Sequence, residues 1–183
     1  YVEIWLEKEA LAGVLYEETA DWNVALMVTR GYPSLTFLYE AAMSVPDNKD
    51  VYLYYFGDHD PSGLDIPRHV EERLDDLGAY FHFERVAVTP DQISEWKLPT
   101  RPTKRSDTRA RYFRGESVEL DAINPRRLRQ LVSDCISRHV DKDAWDRMRN
   151  IEALERESAD AFMSHLKDLE TDVAMATLDE VSP

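Results

Sequence analysis

The stretch Val51-Tyr-Leu-Tyr-Tyr-Phe-Gly-Asp-His-Asp-Pro-Ser-Gly63 decides how the chain is read. Its first six residues are mostly aromatic or β-branched, the composition of a strand. The next seven, His59 apart, are turn formers and acids, and Pro61 with Gly63 gives a tight exit. Leu64 to Leu77 then reads as a helix, with Pro67 in its first turn. Strand, loop and helix in that order are the repeating unit of a parallel α/β sheet.

Working outward, the same unit recurs. Val2 to Leu6 alternates with charge and reads as a strand, and Lys8 to Thr19 carries Ala10, Leu11, Val14 and Leu15 at helical spacing. Val24 to Thr29 is an apolar run, expected to be a buried strand. Gly31-Tyr-Pro-Ser34 is a turn with Pro33 at the first position of a helix that runs to Ala42. Tyr80 to Val88 makes a fourth strand. Thr89-Pro-Asp-Gln92 has the pattern of a capping box, with Pro90 at the first helical position. Pro99 to Gly115 has no period and reads as a loop, and Val118 to Leu120 as a last short strand. Asn124 with Pro125 opens a helix bearing Leu128, Leu131, Val132 and Ile136, and everything beyond Asp141 looks helical, with Phe162, Leu166, Leu169 and Val173 in a narrow stripe. The expected fold is α/β: a mainly parallel sheet of about four strands covered by helices, over residues 1–138, with a helical C-terminal extension over 139–183.

Composition narrows the class. The 183 residues are 43% hydrophobic, near the norm for globular proteins. No apolar run approaches the roughly 20 residues of a membrane span, so no membrane partner is expected. Cys135 is the only cysteine, which rules out an internal disulfide and suits a reducing, cytoplasmic setting, nucleoid-associated in a prokaryote. The first residue is Tyr1, so the chain reads as a fragment or a processed product. The net charge of -14 speaks against nucleic acid until its distribution is considered. Between Lys97 and Arg114, seven Lys/Arg stand against one acid, Asp107, whereas twelve acids and five bases follow from Asp141 onward. An acidic protein can still present one basic strip to phosphates. The same strip also reads as a solvated loop.

Ligands of parallel sheets sit beyond the C-terminal strand ends. Glu7, Asp58 and Asp60 fall there. In extended backbone, residues two apart face the same way, about 6–7 Å apart. Carboxylates that close repel, and a divalent cation relieves the repulsion; Mg²⁺ accepts one or two carboxylates, keeps waters and bridges to phosphate. The same residues also read as a plain turn. On the repulsion argument, Asp58→Ala or Asp60→Ala leaves metal-free stability unchanged or improved. His59, between the two aspartates, should point away and serve structure. His69, His82, His139 and His165 lack ligand spacing.

Five motifs in order, Ile4-Trp-Leu-Glu-Lys8, Arg30-Gly-Tyr-Pro-Ser34, Gly57-Asp-His-Asp-Pro-Ser-Gly63, Val88-Thr-Pro-Asp-Gln92 and Glu119-Leu-Asp-Ala122, together resemble the Toprim domain of the DNA topoisomerase VI A subunit. That family includes the meiotic double-strand-break proteins. Leu98-Pro99, Lys104 to Arg109 and Asn124-Pro125 add to the resemblance, which covers residues 2 to 138. It implies a Rossmann-like Toprim fold, Mg²⁺ held by Glu7, Asp58 and Asp60, and service to a DNA-cleaving machine. His59 stands where a small residue is usual and Ser62 where histidine is common. The family's strand-cleaving tyrosine lies in an upstream winged-helix domain that these residues lack, so that domain or a partner subunit is an expected partner, and whether the chain forms an oligomer stays open.

The leading expectation is Mg²⁺-dependent phosphoryl transfer on DNA. Glu7 would be ligand or proton carrier, with Lys8, Lys104, Arg105, Arg109 and Arg111 on DNA phosphates. Two alternatives stay open: a non-catalytic module that positions DNA or docks a partner, and a stand-alone metal-dependent nuclease. A phosphatase with an aspartate nucleophile usually places it after the first strand, whereas here the pair follows the third.

Overall fold

The computed structural model describes residues 1–46, 48–103, 113 and 115–179, with the side chains of the last helix described up to 167 and at 169. Four strands, β1 (Val2–Leu6), β2 (Ala25–Val28), β3 (Tyr52–Phe56) and β4 (His82–Ala87), form one sheet in the order β2-β1-β3-β4. Every pairing is parallel, with Trp5 level with Met27 on one side and Tyr55 on the other. The helices are α1 (Ala12–Asp21), α2 (Leu35–Ser44), α3 (Pro61–Asp76), α4 (Pro90–Trp96), α5 (Pro125–Ser137) and α6 (Lys142–Asp179), with short 3-10 turns at Glu9–Leu11 and Leu120–Ala122. The α/β expectation holds: the sheet is wholly parallel and flanked by helices, in a Rossmann-like arrangement.

Strand alternation sorts the core. Trp5, Leu53 and Tyr55 share one face and pack with Leu38 and Ala41 of α2 and Ile66, Val70 and Leu74 of α3. Ile4, Leu6, Tyr54 and Phe56 lie on the other face. There Arg138, after α5, lies over the Tyr54 ring, and the Tyr54 hydroxyl meets His139 Nε2 at 2.7 Å. Glu3 is the buried exception on β1: it is 1% exposed and accepts a 2.7 Å hydrogen bond from Trp5 Nε1.

Several boundaries differ from the sequence expectation. Lys8 is not helical; a 3-10 turn precedes α1. Ser34, not a helical Pro33, caps α2, its hydroxyl accepting from Phe37 N–H. The β2 strand is half-buried along its whole length because it is a sheet edge. Helix α3 starts three residues earlier than expected, at Pro61, which leaves Pro67 inside it. Val118 makes only an isolated bridge, to His59, and is not part of a strand. The capping box at Thr89 and the Asn124 cap form as expected.

The chain divides into two compact units, Tyr1–His139 and Val140–Pro183. The second consists chiefly of α6, on which Ile151, Leu154 and Phe162 are exposed. Among the described residues no helix is long and apolar enough to cross a membrane.

Candidate functional site

Glu7 is the first residue past β1, and its N–H still bonds Phe56 O at 2.9 Å. Its carboxylate lies over the end of β3. Oε2 accepts from the Tyr55 hydroxyl at 3.2 Å and from Asp58 N–H at 3.1 Å. Gly57 is required for this approach, since a Cβ there would stand 2.5 Å from Glu7 Oε2 and 2.6 Å from the Tyr55 ring.

Beyond Gly57 the two aspartates take different partners. Asp58 Oδ1 accepts from Leu120 N–H at 2.8 Å. Asp60 caps α3, its Oδ1 accepting from Gly63 N–H at 2.7 Å. Each aspartate thus has one oxygen committed to a different backbone amide, Asp58 to Leu120 and Asp60 to Gly63. Between them, His59 exchanges backbone hydrogen bonds with Val118, and its ring lies 5.3 Å from that of Phe113. Its Nδ1 is buried without a partner among the described residues, and burial holds the imidazole pKa below its usual range. Gly63 lies so close to the loop that a Cβ would sit 2.1 Å from Asp58 O.

A residue that sequence reading passed over completes the loop. Arg85, on β4, donates to Val88 O, to Gly57 O at 3.2 Å and to Asp58 O at 2.6 Å. The signal for it was a cation near the end of an otherwise apolar strand terminus, Arg85-Val-Ala-Val88. The Tyr55 hydroxyl was missed too; burial and the adjacent Glu7 push its pKa well above the phenol range.

Lys8, read as a DNA contact, is engaged within the protein. Its Nζ donates to Glu119 Oε2 at 2.9 Å and to Asp121, and Arg101 also pairs with Glu119. Lys104, Arg105, Arg109 and Arg111 lie outside the described residues.

Burial first, and then repulsion from Asp58, raises the pKa of Glu7. Burial also raises that of Asp58, opposed by the Leu120 amide and the charge of Lys8. Among the described residues, no three His, Cys, Asp or Glu side chains form a group that encloses a metal ion. The donor chemistry nevertheless suits a hard cation. Glu7 and Asp58 are half-buried carboxylates, burial raises the pKa of both and Asp58 raises that of Glu7 further, and each uses one oxygen on a backbone amide. A separate cleft of about 450 Å³, lined by Tyr52, Glu71, Asp75, Tyr80 and His82, contains none of these carboxylates.

No family model matches the chain, and no curated protein matches it.

Proposed function

We propose that this sheet edge is a Mg²⁺-dependent phosphoryl-transfer site of the Toprim kind, serving DNA cleavage. The observation that carries the reading is the direct hydrogen bond between Asp58 N–H and Glu7 Oε2, groups 51 residues apart that meet beyond the C-terminal ends of parallel strands. Glu7 and Asp58 would hold the ion, with Asp60 through the oxygen its cap leaves over. The ion, when bound, would neutralise charge on a scissile phosphate and its leaving oxygen. Lys8, beside Glu7, would meet a flanking phosphate on exchanging Glu119 and Asp121 for it. The nucleophile would be a tyrosine from an upstream winged-helix domain or, in a plain nuclease, water.

Mn²⁺ binding, read by electron paramagnetic resonance, tests the site without requiring turnover. Binding should weaken at least roughly tenfold in Glu7→Gln and Asp58→Asn, as loss of a carboxylate ligand demands. A wild-type chain that takes up no Mn²⁺ at millimolar concentration ends the metal reading.

A second reading, a non-catalytic DNA-positioning or docking module, draws on the ion pairs that already neutralise Lys8 and Arg101. Nicking of supercoiled plasmid with and without Mg²⁺ separates the two.

A further inference from the structure

Strand β4 is an edge strand with a bulge. Tyr55 pairs with Arg85, but Phe56 pairs with Ala87, so Val86 is one residue too many. Bulges redirect the side chains beside them. Arg85, just before this one, reaches past the strand end to the loop that carries the aspartates. One guanidinium nitrogen takes both Gly57 O and Asp58 O, the other takes Val88 O, and none of its hydrogen bonds to described residues goes to a carboxylate. Its Nε is buried without a partner among the described residues.

Burying a cation is costly unless something compensates it. Compensation comes partly at a distance: burial depresses the guanidinium pKa, and the carboxylates of Glu7, Asp58 and Asp60 oppose that shift. The rest comes from backbone carbonyls. Gly57 O and Asp58 O belong to the peptide planes on either side of the Asp58 Cα. Holding both planes with one nitrogen fixes the Asp58 φ and ψ, and these determine where its carboxylate leaves the chain. The Asp58 carbonyl is also the atom that packs against Gly63, so the loop is gripped from both sides. Arginine suits this task because its planar fork presents several donors in fixed geometry, whereas lysine offers a single point charge.

We propose that Arg85 is the positioning residue of the site: its guanidinium sets the path of the Gly57–Asp60 backbone and so aims Asp58 beside Glu7. The effect on metal affinity rests on the function proposed above; the effect on the loop does not.

The test compares wild type with Arg85→Met and Arg85→Lys in the whole chain, by amide hydrogen exchange and by Mn²⁺ affinity well below the melting temperature. Exchange should quicken at residues 58–60 in both variants while Ile4 and Tyr54 in the sheet stay protected. Mn²⁺ affinity should fall by roughly tenfold or more in both, the usual consequence of losing a residue that orients a ligand. A role through charge alone gives the opposite pattern, with tighter Mn²⁺ binding in Arg85→Met and no change in Arg85→Lys, and overturns the proposal. Exchange that quickens across the whole sheet with metal affinity unchanged also overturns it, as a general structural role. If Arg85→Met does not fold, Arg85→Lys carries both readouts. If the wild type binds no Mn²⁺, the metal reading falls and the positioning role is decided by exchange at residues 58–60.

Discussion

Replacing Gly63 by alanine probes the clamp on the aspartate loop most directly. The added Cβ would sit 2.1 Å from Asp58 O, 3.0 Å from Asp58 C and 3.3 Å from Asp60 Oδ1. The nearest atom is backbone, and it cannot retreat without stretching its 2.6 Å contact with Arg85. Shifting the start of α3 instead would break the 2.7 Å bond from Gly63 N–H to the Asp60 cap. Overpacking of this kind costs about 1–3 kcal/mol, and a lost cap costs about 1 kcal/mol. Exchanging glycine for alanine in a helix works the other way by about 1 kcal/mol. The net expectation is a loss of about 2 kcal/mol, or roughly 4–8 °C in melting temperature for a chain of this size. Thermal unfolding followed by circular dichroism measures it, with Gly13→Ala in α1 as control. Nothing lies within 4 Å of a Cβ at Gly13, so that variant should gain up to about 1 kcal/mol. A Gly63→Ala protein that melts at or above wild type would mean that the Asp58 carbonyl yields freely, and the argument for a gripped loop would be lost.

Asp60 gives the second prediction, with a sign opposite to the one repulsion alone suggests. Because it caps α3, Asp60→Ala should lose about 1 kcal/mol in metal-free melts while Asp60→Asn loses little; a stabilised Asp60→Ala would show that repulsion outweighs the cap. Glu3 gives the third. Burial raises its folded pKa above the unfolded value near 4.5, so its favourable contribution is complete below that value and is lost as pH rises through the folded pKa. Each unit of such a shift is worth about 1.4 kcal/mol. Glu3→Gln keeps an acceptor for Trp5 Nε1, so it should match wild type near pH 4 in urea titrations and exceed it increasingly toward pH 8. A stability difference that does not grow with pH refutes the assignment.

What local sequence could reveal, and what it could not, divides along physical lines. The β1 and β3 strands, the capping box at Thr89 and the cap at Asn124 depend on neighbours a few residues away, and all were legible. Placement of Glu7 at the same sheet edge as Asp58 followed from strand–helix alternation. The helix start at Pro61 was misread because Asp-Pro-Ser-Gly is also ordinary turn chemistry, and only the Asp60 side chain decides between the two. The partners of Asp58 were not legible at all. Asp58 is turned by Leu120, 62 residues away, and its carbonyl is held by Arg85, 27 residues away. The bulge that aims Arg85 is likewise a property of strand pairing and leaves no local trace.

The separations along the chain have a kinetic consequence. Asp58 to Glu7 spans 51 residues, Asp58 to Leu120 spans 62, and Lys8 to Glu119 spans 111. Loops of that length close late, because their entropy must be lost before any contact rewards it. The carboxylate edge therefore comes together after the individual strand–helix units, along with the long-range pairing of β1 and β3. A ligand that needs the finished edge cannot guide the chain toward it. Such a ligand lowers the native state alone, slowing escape from it while the speed of first arrival stays the same.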